Sequence, residues 1–119
     1  MKILVVDDDS TNRHMIKIWL TIGNLSEVTL VEDSDQALAA LKSEKFDRMF
    51  TDNDMRVPNE GLTLISEAKK VQPELRIVFM SGDMSDEKMV DALERGAEET
   101  VCKLKMSAYL KKLLLSLGS

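Results

Sequence analysis

The chain has almost none of the residues that build stapled or metal-clipped scaffolds. Its one cysteine, Cys102, sits in the strand-like run Glu99-Thr100-Val101-Cys102, which excludes a disulfide framework or a cysteine metal site and reads as a buried, inert thiol in reducing surroundings. No glycine-rich phosphate loop occurs, so a nucleotide cradle is not expected. No apolar run is long enough to span a membrane. The amino-terminal run Ile3 to Val6 is halted at once by Asp7-Asp8-Asp9, which excludes a signal peptide. The net charge is -5, so direct binding to nucleic acid, which needs clustered Lys and Arg, is disfavoured and a protein partner in the cytoplasm is the expectation. There is no linker, low-complexity tract or internal repeat, and 119 residues that are 44% hydrophobic suffice for a single cored domain, 1–119.

What is present is an alternation of two periodicities. Lys2 to Val6 is a continuous apolar, β-branched run, the mark of a strand covered on both faces of a parallel sheet. Ser10 then caps a helix carrying Met15, Trp19 and Ile22, which Gly23 stops. Further strands are expected over Glu27 to Val31, Arg48 to Thr51, Leu75 to Met80 and Glu99 to Lys103. Helices follow them: one capped by Ser34, one with Leu62, Ile65, Ala68 and Val71, one capped by Ser85 and ended by Gly96, and one from about Ser107. Five strands alternating with five helices imply an α/β, doubly wound parallel sheet, flavodoxin-like with order 2-1-3-4-5.

In such a sheet Asp7, Asp8, Asp52, Ser81 and Lys103 all fall at carboxyl ends of strands, the edge where these folds place ligands. Three converging carboxylates repel one another unless a hard cation joins them. Mg2+ takes oxygen ligands, engages one or two carboxylates directly and often completes its shell with a phosphate oxygen. A hydroxyl and an ammonium opposite would hold the other phosphoryl oxygens. The chemistry inferred is Mg2+-assisted phosphoryl transfer with a carboxylate as nucleophile.

The motifs Leu4-Val5-Val6-Asp7-Asp8, Phe50-Thr51-Asp52 with Asp54 two residues on, Met80-Ser81-Gly82, and Gly96-Ala97 followed by Lys103 resemble the receiver domain of two-component response regulators over essentially the whole chain. The resemblance implies that Asp52 accepts a phosphoryl group from a phosphohistidine on a sensor histidine kinase or phosphotransfer protein. It implies that Asp8 and Asp52 hold Mg2+ through their side chains, Asp54 through its carbonyl and Asp7 through a water. Ser81 and Lys103 would take phosphoryl oxygens, and Gly82 would leave room beside them. The only enzymatic act expected is self-catalysed phosphorylation and slow dephosphorylation, with signalling by contact with a downstream protein because no effector segment follows Ser119.

The pattern departs from the family at several points. Thr100 replaces the switch aromatic, Leu104 the proline after the lysine, and Arg56 the usual proline of the loop after Asp52, while Gly61 lies one residue further along than usual. The Lys103–Leu104 bond is expected to be trans, since a cis bond there would cost about 3–4 kcal/mol, with some displacement of the lysine or its loop. Two other readings stand: a receiver-like binding module that works without phosphorylation, and a small haloacid-dehalogenase-like phosphatase suggested by Asp52-Asn53-Asp54. Asp9, Glu32 and Asp33 read as acids at helix starts, His14 as solvent-facing, Trp19 as packing, and Met55 and Met84 as residues that could gate the crevice.

Overall fold

The computed structural model describes residues 1–22, 27–82 and 85–117, with the backbone alone of Leu117. The apolar runs form β1 (Lys2–Val6), β2 (Glu27–Val31), β3 (Arg48–Asp52), β4 (Arg76–Ser81) and β5 (Glu99–Cys102). The amphipathic segments form α1 (Ser10–Ile22), α2 (Ser34–Ser43), α3 (Glu60–Val71), α4 (Asp86–Arg95) and α5 (Met106–Leu117). All pairings are parallel, in the order β2-β1-β3-β4-β5, the flavodoxin-like arrangement the sequence implies. Alternation along β1 divides the core. Leu4 and Val6 pack with Leu41, Ile65 and Ala92 beneath α2, α3 and α4, whereas Ile3 and Val5 pack with Ile16, Leu20, Met106 and Leu110 beneath α1 and α5.

Helix starts differ from the expected ones in which side chain does the capping. Asp9, not Ser10, accepts the amide of Thr11 at 3.0 Å, and Asp33, not Ser34, accepts that of Gln36 at 2.9 Å. A carboxylate both satisfies an orphan amide and complements the positive end of the helix. Ser85 caps α4 as expected and Gly96 ends it with φ 119°. At the far end, β5 stops at Cys102, so Lys103 opens a 3-10 turn, Lys103–Lys105, instead of extending the strand. Cys102 is half-buried, not sealed in the core. Trp19 packs against the α1–α5 core and His14 is exposed. Met55 is half-buried and packs against the core beneath α2, α3 and α4. Gly23, Asp83 and Met84 lie outside the described residues.

One contact fixes the site's position against the third helix. The amide of Gly61, in the first turn of α3, donates to the carbonyl of Asn53 at 2.7 Å, and a Cβ at position 61 would lie 1.9 Å from the carbonyl oxygen of Asp52. Only hydrogen fits there, so α3 is seated directly on the end of β3. At Gly82 a Cβ would meet nothing within 4 Å. Gly61→Ala is therefore expected to destabilise by about 1–3 kcal/mol or more, and Gly82→Ala to stay within about 0.5 kcal/mol of the parent. Urea unfolding of the two variants checks this, and equal midpoints would refute the close seating.

Candidate functional site

The carboxyl edge of the sheet gathers the expected residues. β1 and β3 are neighbours, with Val6 paired to Thr51, so the residues just beyond, Asp7 and Asp52, come side by side. Carboxylate oxygens of Asp7, Asp8 and Asp52 lie within 4.8 Å of one another. Lys103, reaching over from beyond β5, places its ammonium 3.0 Å from Asp52 Oδ2 and 3.2 Å from Asp7 Oδ2. The Lys103–Leu104 bond is trans, as expected. Beyond β5 the chain forms the 3-10 turn Lys103–Lys105, with Leu104 93% exposed. Ser81 is buried at the end of β4, whose Met80 pairs with Asp52.

The acids are not equivalent. Asp7 is fully buried and already engaged: its Oδ1 accepts the amide of Asp9 at 2.9 Å and its Oδ2 accepts the side-chain amide of Asn12. Arg13 grips the same residue from behind, donating to its carbonyl at 2.6 Å while pairing with Glu32 at 3.6 Å. Asp8 is exposed. Asp52 is 6% exposed, its Oδ1 accepting the amide of Asn53 at 2.8 Å. Asp54 is exposed and its carboxylate accepts the amide of Asn59 at 2.8 Å, so it stands outside the cluster. What it could offer a metal is its carbonyl. Asn12 and Arg13 escaped the sequence reading, although a polar residue five positions beyond Asp7, in the first turn of a helix folding back over the strand end, was a signal for the former.

An all-oxygen donor set of three crowded carboxylates suits a hard divalent cation and would not select a soft one. Elsewhere, a surface groove of about 1020 Å3 opens at the opposite, amino-terminal edge of the sheet near Phe46, Arg48 and Arg76, remote from these acids.

Burial and the charge of Asp7 push the Asp52 carboxyl up to about 6, against the pull of Lys103 and the Asn53 amide. Burial works to lower Lys103, but its hydrogen bond to Asp52 and the charge of Asp7 outweigh this and raise it above the ordinary lysine value. The sign for stability follows. Between about pH 4 and 6 the folded metal-free chain keeps a proton on Asp52 that the unfolded chain releases, so this group lowers stability as pH rises through that window. Taking the shift from 3.8 to about 6, the full penalty above it is on the order of 3 kcal/mol. Asp52→Asn is expected to stabilise the metal-free protein at pH 7 and to flatten its stability between pH 4 and 6. Thermal unfolding across that range measures both, and parallel curves for the two proteins would refute the crowding.

Comparison with known proteins places this geometry. A family model described as the response regulator receiver domain matches residues 3–114. The regulatory protein VirG of Rhizobium radiobacter is 35% identical over 102 residues, 85% of this chain but 37% of that protein, so the chain spans little more than a third of that relative's length. The chemotaxis protein CheY of Bacillus subtilis (strain 168) is 29% identical over 103 residues, 86% of this chain and 84% of the relative. Among solved structures, the receiver domain of NtrX from Brucella abortus superposes with a TM-score of 0.84 at 32% identity, covering 98% of this chain and 97% of that one. A response regulator from Burkholderia pseudomallei, solved with a phosphorylated aspartic acid, a calcium ion and citrate, superposes with a TM-score of 0.79 at 27% identity, over 86% of this chain and 59% of that one. With the sheet order, the strand-end acids and the facing lysine all in place, the chain belongs to the response regulator receiver domain family.

Proposed function

We propose that the protein is a phosphoacceptor of a two-component system, taking a phosphoryl group onto Asp52 from a phosphohistidine on a sensor histidine kinase or phosphotransfer protein. The observation that carries this is the Lys103 ammonium set between Asp52 and Asp7, opposite the three-carboxylate cluster. Asp8 and Asp52 side chains and the Asp54 carbonyl would hold Mg2+, with Asp7 acting through a water. When bound, the ion supplies positive charge to the phosphoryl oxygens and relieves the repulsion among the acids. An Asp52 oxygen attacks phosphorus, the P–O bond forms as the P–N bond breaks, and the departing imidazole keeps the electron pair and takes a proton from solvent. Lys103 then pairs with one phosphoryl oxygen and the Ser81 hydroxyl donates to another, and Gly82 leaves that side open. The resulting acyl phosphate hydrolyses slowly, and the protein acts by contact with a downstream protein.

The phosphatase reading is not favoured. Asp54, which would have to serve as acid or base, has its carboxylate tied to Asn59 and lies outside the cluster. Among the described residues no helix is long and apolar enough to cross a membrane.

Incubation with a small phosphodonor and Mg2+ is expected to add the mass of one phosphoryl group, lost in Asp52→Asn and when Mg2+ is chelated. Intact mass spectrometry reads the result. No adduct on the parent at saturating donor would leave the binding module that works without phosphorylation, and multiple turnover on phosphate esters would revive the phosphatase. Mg2+ at about 100 times its dissociation constant is expected to stabilise the fold by roughly 2.7 kcal/mol, seen as a raised Tm that Asp52→Asn diminishes.

A further inference from the structure

The loop joining β3 to α3 is held by groups the proposed chemistry does not use. Glu60, at the start of α3, is 6% exposed, and a carboxylate so placed is costly unless every oxygen is met. Its Oε1 accepts the Arg56 amide at 3.1 Å and Nε at 3.4 Å, and its Oε2 accepts Arg56 Nη2 at 3.0 Å and the Ser34 amide at 2.8 Å. The rest of the guanidinium reaches the start of α2, donating from Nη1 to Asp35 at 2.8 Å and from Nη2 to the Ser34 hydroxyl at 3.1 Å, with Asp33 at 3.9 Å. Burial works against ionisation of Glu60, yet the bonds from Arg56 and Ser34 bring its carboxyl down to about 2. This acid is held charged by a planar fork.

The clamp sits between two fixed points. Glu60 precedes Gly61, whose seating on the Asp52 carbonyl leaves no slack. Toward the amino end the loop contains Asp54, tied to Asn59, and Asn59 occupies the left-handed region at φ 61°. The Asn53 side-chain amide donates to the Asn59 side chain at 2.9 Å, closing the ring. Pro58 restricts one residue of this loop, and the anchored guanidinium at position 56 removes further conformations that would otherwise be lost on taking up a ligand.

We propose that Arg56 is a positioning residue, its fork closed on Glu60 and the start of α2 so that the β3–α3 loop presents the Asp54 carbonyl to a divalent cation. The inference rests on the metal assignment above. It makes this loop's geometry depend on α2, so a partner that moved the start of α2 would alter cation affinity at Asp52.

The test turns on a sign. Removing a positive charge from the loop that follows Asp52 should by electrostatics alone favour cation binding, not weaken it. Loss of a positioning group should weaken it, by about 10-fold for a group supporting a metal ligand. Mg2+ titration by calorimetry is therefore expected to show Arg56→Met binding about 10-fold more weakly than the parent, and Arg56→Lys, which keeps the charge but not the fork, also more weakly. Lys45→Met removes the same charge from an exposed pair with Glu74 at the other edge of the sheet and serves as the control. If Arg56→Met is too unstable because Glu60 is left unpaired, the double variant Arg56→Met/Glu60→Gln removes that burden and should still bind Mg2+ weakly. Affinity equal to or tighter than the parent in a folded Arg56 variant overturns the inference while leaving the proposed function intact. Absence of Mg2+ binding in the parent overturns both.

Discussion

One ammonium facing two buried carboxylates is the constraint around which this protein is arranged. Asp7 and Asp52 arrive from adjacent strands, and Lys103 Nζ lies within 3.2 Å of both. Among the described residues the Lys103 ammonium faces both Asp7 and Asp52, with Asp8 nearby, and burial, then the charge of Asp7, pushes the Asp52 carboxyl up to about 6. A site left short of positive charge has a standing preference for a hard cation, and once the cation is there the lysine becomes available to another anion. Instability of the bare acids and affinity for a ligand are two views of the same repulsion.

The surrounding structure exists to keep that repulsion from being relieved by movement. Asn12, the Asp9 amide and Arg13 hold Asp7 from three sides. Gly61 brings the start of α3 onto the Asp52 carbonyl, and the Asn53 amide takes one carboxylate oxygen. Around the loop that follows, Arg56 and Glu60 do by charge and hydrogen bonding what a proline ring does by restricting φ. The two devices differ in consequence. A ring is local, whereas the guanidinium ties the loop to a second helix.

The departures from the family's residues are thus of two kinds. At Leu104 the chain forms a 3-10 turn behind a lysine that reaches both acids, and at Arg56 the backbone and guanidinium bond Glu60. At Thr100 the family's ring is absent. Thr100 pairs with Phe79 in the sheet, and Tyr109 on α5, packed on the other face with Val101, is set edge-on to Phe50 at 6.2 Å. Burial, then Glu99, raises the Tyr109 hydroxyl above the ordinary tyrosine range, so it is held protonated as a donor. Any output from Asp52 therefore travels without an aromatic turning at position 100.

The sequence by itself determined the strands, the doubly wound order and the cast of the site, because hydrophobic period and right-handed crossover leave few alternatives and strand ends locate the ligand edge. Asp7, Asp8, Asp52, Ser81 and Lys103 were legible as strand-end residues for that reason. Tertiary structure alone decided what those residues touch. Which of two adjacent polar residues caps a helix, as at Asp9 and Asp33, turns on a side-chain geometry that composition does not encode. That Asp54 turns its carboxylate to Asn59, that Lys103 reaches Asp7 and Asp52, and that Glu60 is a buried acid answered by Arg56 and Ser34 all depend on contacts made only in the folded chain. Periodicity reports which face of a segment is buried; only the folded chain brings the partners of a buried charge within reach.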